Sequence, residues 1–444
     1  MPSDELMEVV NEINSNSDSV QIGKARRNAG FSPVQYPSRL LMLDVAMDGG
    51  IPRGKMLRIF GNESTGKTTT LYKIYSASQR TCRNCNQPLD VDDITQYEIF
   101  DKLDENTLYL NDQYVEENEA FQEKELEFPL YDDESAKEDD TVKIKKIITN
   151  ELGKNVNRYE ITPYRKIIVN DCMLCDDPEP MNCVHLDAER DWDNEWANAC
   201  GIDTEEILVT QVLSTEESID EVTKLLRTGT VDFLGLDSWA ALTPEKELAN
   251  DSQDGDDQTM GDQAKLSNKA LRKWISTLAS EGIDQRNRPT IAVLNQYRID
   301  INTKFGDPRT TPGGKGQNFA SSLDIEMLSP DDYSEKGDMD KDDKKIYKKD
   351  LKFNIKKNKQ DPEGRRGYYS IYTREHNDYK PGEVDDKSNV LNIARDLEIL
   401  DKDGSKYVWE EEDLEKSTLT ELKRTIAEDK KLYEKIRKKV VELL

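Results

Sequence analysis

Apolar positions along the chain gather into short runs separated by polar, helix-like stretches. Met56-Leu57-Arg58-Ile59-Phe60 is an apolar run of strand length and predicts a buried strand. Residues 69–79 read as the helix that follows it. Similar runs recur at Cys183-Val184-His185-Leu186-Asp187, at Val231-Asp232-Phe233-Leu234-Gly235-Leu236-Asp237 and at Thr290-Ile291-Ala292-Val293-Leu294-Asn295. Helical stretches at residues 218–227 and 262–279 lie between them. Strands alternating with helices predict an α/β fold with a mostly parallel sheet covered on both faces. Upstream, residues 39–47 read as a helix before Gly49-Gly50-Ile51-Pro52. In residues 4–13, Leu6, Val9, Val10 and Ile13 share one face of an amphipathic helix. Residues 331–350 read as a charged, lysine- and aspartate-rich linker. Residues 388–444 read as a small α/β unit ending in a lysine- and glutamate-rich helix.

The stretch after the first helix is of a different kind. Residues 82–182 hold 26 Asp/Glu against 11 Lys/Arg, more than half of the chain's net charge of -28. Strand-like runs at 97–100, 107–110, 159–162 and 166–169 surround a strongly acidic segment, 116–140. This reads as a β-rich insertion into the α/β core. The expected division is an N-terminal arm (1–36), a core (37–81 and 183–375), the insertion (82–182) and a C-terminal α/β domain (376–444). A length of 444 residues suits two or three domains at about 150 residues each. No apolar run approaches the ~20 residues of a membrane span, and the start lacks a signal-peptide pattern. A soluble cytoplasmic protein without membrane contact is expected.

Gly61-Asn62-Glu63-Ser64-Thr65-Gly66-Lys67-Thr68-Thr69 matches G-x-x-x-x-G-K-[ST] between a strand and a helix. The glycines let the backbone turn so that N–H groups face a phosphate. Gly61, Glu63, Ser64, Thr65, Gly66, Lys67, Thr68 and Thr69 are the candidate nucleotide cradle. Lys67 reaches the β- and γ-phosphates, and the Thr68 hydroxyl meets Mg²⁺. Asp237, followed by Ser238, ends an apolar strand where such ATPases place a second Mg²⁺-directed carboxylate. Glu189, just past another strand, is a candidate for orienting the attacking water. Six cysteines in a large chain without a secretion signal point to metal or free thiols. Cys82-x-x-Cys85 and Cys172-x-x-Cys175 bracket the insertion, and four thiolates suit a structural Zn²⁺. Such a metal would clamp both strands of the neck and remove loop-closure entropy. Cys183 and Cys200 read as core residues, and His185 as a packed side chain.

The chain resembles the RecA-family recombinases. The resemblance runs through Leu40-Leu41-Met42-Leu43-Asp44, Gly50-Ile51-Pro52-Arg53-Gly54 and the phosphate loop. It continues through Asp187-Ala188-Glu189, Asp193-Asn194-Glu195-Trp196 and Leu236-Asp237-Ser238-Trp239-Ala240-Ala241-Leu242-Thr243-Pro244. Asn295-Gln296-Tyr297-Arg298, Phe305-Gly306-Asp307-Pro308, Thr310-Thr311-Pro312-Gly313-Gly314 and Lys357-Asn358-Lys359 complete it. These segments keep the family order over about residues 36–82 and 183–444. The resemblance implies that Glu189 is the catalytic glutamate. It also implies that Gln296 senses the γ-phosphate, and that Asp193 and Trp196 contact adenine, Trp replacing the usual Tyr. Lys357 and Lys359 match lysines that reach a neighbouring subunit's ATP.

The family's DNA-binding loop maps to residues 295–319, where Arg298, Lys304, Arg309 and Lys315 outweigh Asp300 and Asp307. Phe305, Gly313 and Gly314 complete the candidate DNA-binding set. The segment matching the family's first DNA loop, residues 246–263, departs from it in carrying Asp251, Asp254, Asp256 and Asp257. The implied protein is a DNA-dependent ATPase with ATP and Mg²⁺ as cofactors and single- and double-stranded DNA as partners. It would self-associate into helical filaments that promote strand exchange, in a host cytoplasm if phage-encoded. The alternatives are a ring helicase or branch-migration motor on the same core, or an ATP-binding recombination mediator.

Overall fold

The phosphate-loop region is built around one sheet. Its elements are β1 (Met56–Gly61) and α1 (Lys67–Ser78), then β2 (Cys183–Asp187), α2 (Asn194–Ala199), β3 (Ile207–Gln211) and α3 (Thr215–Arg227). There follow β4 (Phe233–Asp237), α4 (Thr259–Leu278), β5 (Thr290–Gln296), β6 (Leu323–Met327), β7 (Ile346–Asn358) and β8 (Arg366–Tyr372). The sheet has nine strands: β3-β2-β4-β5-β1-β6-β7 in order, then the two-residue strand Asp338–Met339 on β7, with β8 also paired to β7. Pairing is parallel from β3 through to β6 and antiparallel from β6 to β8. The computed structural model describes residues 34–104, 107–110, 125–129, 141–145, 158–172, 174–212, 214–249, 259–278, 288–299, 308–313, 316–329, 338–339, 346–359, 364–376, 379–404, 406–409 and 414–443. Residues 1–33 of the expected arm, 251–257 of the acidic loop, and Lys304, Phe305, Gly314 and Lys315 lie outside these.

Strand alternation explains the two covered faces. Ala292 and Leu294 of β5 join a core cluster with Leu57 and Ile59 of β1 and Leu71, Ile74 and Tyr75 of α1. Ile291 and Val293 join the opposite cluster with Ile219, Val222 and Leu226 of α3 and Trp274 of α4. Both faces being apolar is what makes these strands continuous apolar runs in the sequence. The C-terminal region has its own cluster of Val390, Leu391, Leu422, Ile426, Ile436 and Val440. It combines helices Asp386–Asp396, Leu419–Glu428 and Lys430–Leu443 with a small three-stranded sheet. No helix among the described residues is long and apolar enough to cross a membrane.

Two readings change. Residues 346–350 belong to β7 rather than to a linker. Four strands (β3, β6, β7 and β8) lacked a sequence expectation. β3 is an edge strand with Leu208 and Val209 exposed, so its pattern carries no buried face. By contact density the chain forms two units, Met1–Asp92 with Val169–Leu444, and Asp93–Ile168. Strands in and leading into the second unit include Leu89–Asp104, Thr107–Leu110, Glu125–Pro129, Thr141–Lys145 and Arg158–Cys172.

Candidate functional site

β1 ends at Gly61, where the chain leaves the sheet. A Cβ on Gly61 would lie 2.2 Å from the Met327 carbonyl oxygen of β6. Gly66 has φ +88°, and a Cβ there would stand 2.6 Å from Leu351 Cδ2. Glycine meets both demands, the close approach and the left-handed φ. Thr65 Oγ1 donates to the Asn62 carbonyl at 2.9 Å, and Lys67 Nζ donates to the same oxygen at 2.7 Å. The loop then enters α1, whose first N–H groups have no intrahelical acceptor and form an anion-binding end.

Opposite the loop stands Asp237, at the end of β4. Thr68 Oγ1 donates to Asp237 Oδ2 at 2.7 Å. Burial pushes the Asp237 carboxyl up to about 7, against the Thr68 hydrogen bond that favours its charge. Burial likewise lowers the pKa of Lys67 from its ordinary value. Each group is desolvated where a counter-charge would favour its ionised form: a cation at Asp237, an anion at Lys67. Glu189 follows β2, and its Oε1 accepts from Gln296 Nε2 at 2.9 Å and from the Ser238 hydroxyl. The turn carrying Glu189 is fixed by Asp187, which accepts from the Asp191 and Trp192 N–H groups, both at 3.2 Å.

These groups share one cleft of about 530 Å³, lined by Glu63, Ser64, Gly66, Lys67, Thr68, Thr69, Glu189, Trp196, Asp237 and Gln296. Trp196 Nε1 donates to Thr69 Oγ1 at 3.1 Å. Asp193 caps α2, its carboxylate accepting from the Trp196 N–H at 2.9 Å. Five lining residues were not foreseen: Asp191, Lys349, Leu351, Ile371 and Thr373. The period-2 pattern Leu351, Phe353, Ile355 was the available signal for the strand that carries Lys349 and Leu351. Lys357 and Lys359 do not line the cleft. Lys357 Nζ donates to the carbonyls of Asn318 and Ser321, and Lys359 Nζ to that of Phe319 at 3.4 Å.

Of the basic segment, Arg298 and Arg309 are exposed on a short hairpin in which Arg298 pairs with Thr310. Arg298 Nη2 donates to the Ala240 carbonyl at 3.3 Å, and the Arg309 guanidinium lies 5.0 Å from the Tyr297 ring centroid. Gly313 is confined: a Cβ there would meet Gln317 Nε2 at 2.4 Å and Trp239 Nε1 at 2.5 Å.

Away from the cleft, the sulfurs of Cys82, Cys85, Cys172 and Cys175 all lie within 4.8 Å of one another. Cys85 and Cys172 Sγ are 3.4 Å apart, and none of the four is in a disulfide. Four mutually close free thiols form the donor set that tetrahedral Zn²⁺ takes. Burial opposes ionisation of Cys82, yet backbone N–H groups aimed at its sulfur bring it down to about 7. Cys183 and Cys200 are buried elsewhere. His185 is buried too, and its Nδ1 lies 3.1 Å from Tyr75 Oη.

A strand–phosphate-loop–helix unit facing a strand-end carboxylate and a glutamate defines a P-loop nucleotide-binding protein. Residues 173–373 match the RecA N-terminal domain. The chain is 28% identical over 259 residues to Protein RecA of Mycoplasma mobile, covering 58% of this chain and 71% of that protein. It is 31% identical over 230 residues to Protein RecA of Bacillus subtilis, covering 52% and 59%. Against Protein RecA of Corynebacterium urealyticum it is 33% identical over 231 residues, covering 52% and 56%. Over these residues the chain is similar to the RecA family.

Proposed function

We propose that this protein is a DNA-dependent ATPase that forms helical filaments on single-stranded DNA and promotes homologous pairing and strand exchange with double-stranded DNA. The observation that carries this reading is the contact between Glu189 and Gln296 at 2.9 Å, in the cleft that Lys67, Thr68 and Asp237 also line. It joins a water-orienting carboxylate to the residue that opens the basic segment. Glu189 Oε1 is taken by Gln296 and Ser238, which leaves Oε2 to accept a proton from the attacking water. Lys67 turns from the Asn62 carbonyl to the phosphates, and loop N–H groups hold the β-phosphate. Thr68 and Asp237 hold Mg²⁺, which offsets phosphate charge when bound. Trp196 offers a flat ring to adenine. Lys357 and Lys359 complete a neighbour's site in trans, a head-to-tail arrangement that builds a filament when it does not close. The four cysteines of the neck hold one structural Zn²⁺.

ATP turnover measured with and without single-stranded DNA, with parallel imaging for filaments, tests the reading. Stimulated turnover on filaments is expected. Closed rings would favour a helicase or branch-migration motor. Nucleotide binding without turnover would favour a recombination mediator.

A further inference from the structure

The cleft contains a second cation that the phosphate-loop pattern does not. Lys349 lies on β7, where alternate residues face one side. On that side Leu351 packs beneath Gly66, and Lys349, two positions earlier, emerges beside Ser64. Its Nζ donates to the Ser64 carbonyl at 2.9 Å. Ser64 holds a left-handed φ of 59°, so this peptide is set in an orientation that few residues adopt unaided. In a planar trans peptide the C=O and the following N–H point in opposite directions. Drawing the Ser64 oxygen onto Lys349 therefore turns the Thr65 N–H the other way. An ammonium on the carbonyl also polarises the peptide and makes that N–H a better donor. Lys349 is half-buried, and desolvation lowers its pKa, a disadvantage that an adjacent phosphate would relieve. The other charges lining the cleft are Lys67 against Glu63, Glu189, Asp191 and Asp237. A polyphosphate therefore meets four carboxylates and only two ammoniums there.

We propose that Lys349 is a phosphate-positioning residue, which fixes the Ser64–Thr65 peptide for the diphosphate portion shared by ATP and ADP and adds positive charge to the cleft wall. The proposal rests on the ATP-binding reading above and extends it to a residue outside the loop.

Calorimetric titration with ADP and with ATP, on wild type, Lys349→Met, Lys349→Gln, Lys349→Arg and Lys67→Ala, tests it. Loss of one charge-assisted hydrogen bond should weaken both nucleotides by roughly tenfold in the Met and Gln variants. Lys349→Arg should keep most of the affinity, because the charge remains. Removing the charge should also flatten the dependence of ADP affinity on salt, which a packing role would not do. Melting of the unliganded variants checks that each is folded. Wild-type affinity in both Met and Gln variants, or a loss in Lys349→Arg as large as in Lys349→Met, overturns the proposal. If only Lys67→Ala loses binding, Lys349 fails and the ATP reading stands. A wild type that binds neither nucleotide overturns both.

Discussion

Stripping metal from the four-cysteine neck should loosen the base of the insertion by an amount that the chain itself sets. Cys85 and Cys172 are 87 positions apart in sequence, with sulfurs 3.4 Å apart. Closing a loop of that length by a cross-link is worth about 4–5 kcal/mol in chain entropy alone. Other ties hold the same neck. Thr81 bridges Pro88, Cys82 bridges Pro180, and the Arg83 N–H donates to the Glu179 carbonyl at 2.9 Å. Buried Leu89, with Val91 and Val169 against it, adds a small apolar cluster. These contacts survive metal loss, so the measured destabilisation should be about half the entropic limit, roughly 2 kcal/mol. Metal analysis of the purified chain should give one Zn²⁺. Cys82→Ser/Cys85→Ser should abolish it, whereas Cys183→Ser and Cys200→Ser should leave it unchanged. Chelation should lower the denaturant midpoint of wild type and speed amide exchange in the neck, with no further effect on the double variant. A folded wild type without metal, or one whose stability ignores chelation, would refute the clamp.

Lys67→Ala should abolish productive nucleotide binding, and Glu189→Gln should bind ATP yet lose about 10²–10⁴-fold in turnover, since an amide cannot take the water's proton. Equal turnover by Glu189→Gln and wild type would sink that role. Mixing Lys357→Ala/Lys359→Ala protein with Glu189→Gln protein should restore part of the activity, because one mixed interface carries both intact halves. No rescue despite co-assembly counts against sharing in trans. Replacing Arg298 and Lys315 by alanine should weaken single-stranded DNA binding across all sequences and reduce the log–log salt slope by about 1.4. Removing residues 93–168 should change binding much less, since charge farther than about 8 Å from the DNA is screened at 0.15 M salt; the opposite pattern would put the DNA site in the insertion. The His185 imidazole, depressed by burial from 6.5 to about 4, should titrate near that lower value by NMR. Being neutral in the fold, it removes up to about 3 kcal/mol of stability as pH falls from 6.5 through 4. A His185 midpoint near 6.5 would show the ring to be solvated.

What the sequence made legible follows from how local each signal is. The phosphate loop is local: strand, glycines, lysine and helix fall within one short segment, and the two glycines follow from backbone demands at positions 61 and 66. Asp237 was legible because an apolar run ends in a carboxylate. Glu189 and Gln296 were nameable, but their meeting at 2.9 Å depends on β2 and β5 both lying beside β4. The cysteine pairs were visible as pairs, and only the fold brings sulfurs 87 positions apart together. Lys349 was hidden in a run of charges that suits a linker. Its place in the cleft comes from antiparallel pairing of β7 with β6, which carries the strand past the phosphate loop. β3 carried no one-sided pattern, because an edge strand with exposed Leu208 and Val209 buries little of either face.

Three consecutive residues at the end of β5 tie the cleft to the basic segment. Asn295 points inward, and its Nδ2 donates to the Pro312 carbonyl at 3.0 Å and to Gln317 Oε1 at 2.9 Å. It thereby holds the far end of the segment and the short helix Gly316–Ala320 behind it. Gln296, the next residue, touches Glu189 in the cleft. Tyr297 Oη donates to Glu326 Oε1 at 2.7 Å, and Glu326 Oε2 lies 3.2 Å from Lys356 Nζ. Lys356 precedes Lys357, whose ammonium sits on carbonyls at the end of that same short helix. A shift of Gln296 toward a γ-phosphate cannot leave its two neighbours where they are, because strand geometry fixes their relative directions. If the basic segment orders on DNA, that ordering acts on Gln296 through Asn295 and Tyr297. Linkage then requires the reverse effect, nucleotide on DNA affinity, with equal free energy. Lys357 is tied to the same frame: to reach a neighbour's phosphate it would have to release the short helix that Asn295 also holds.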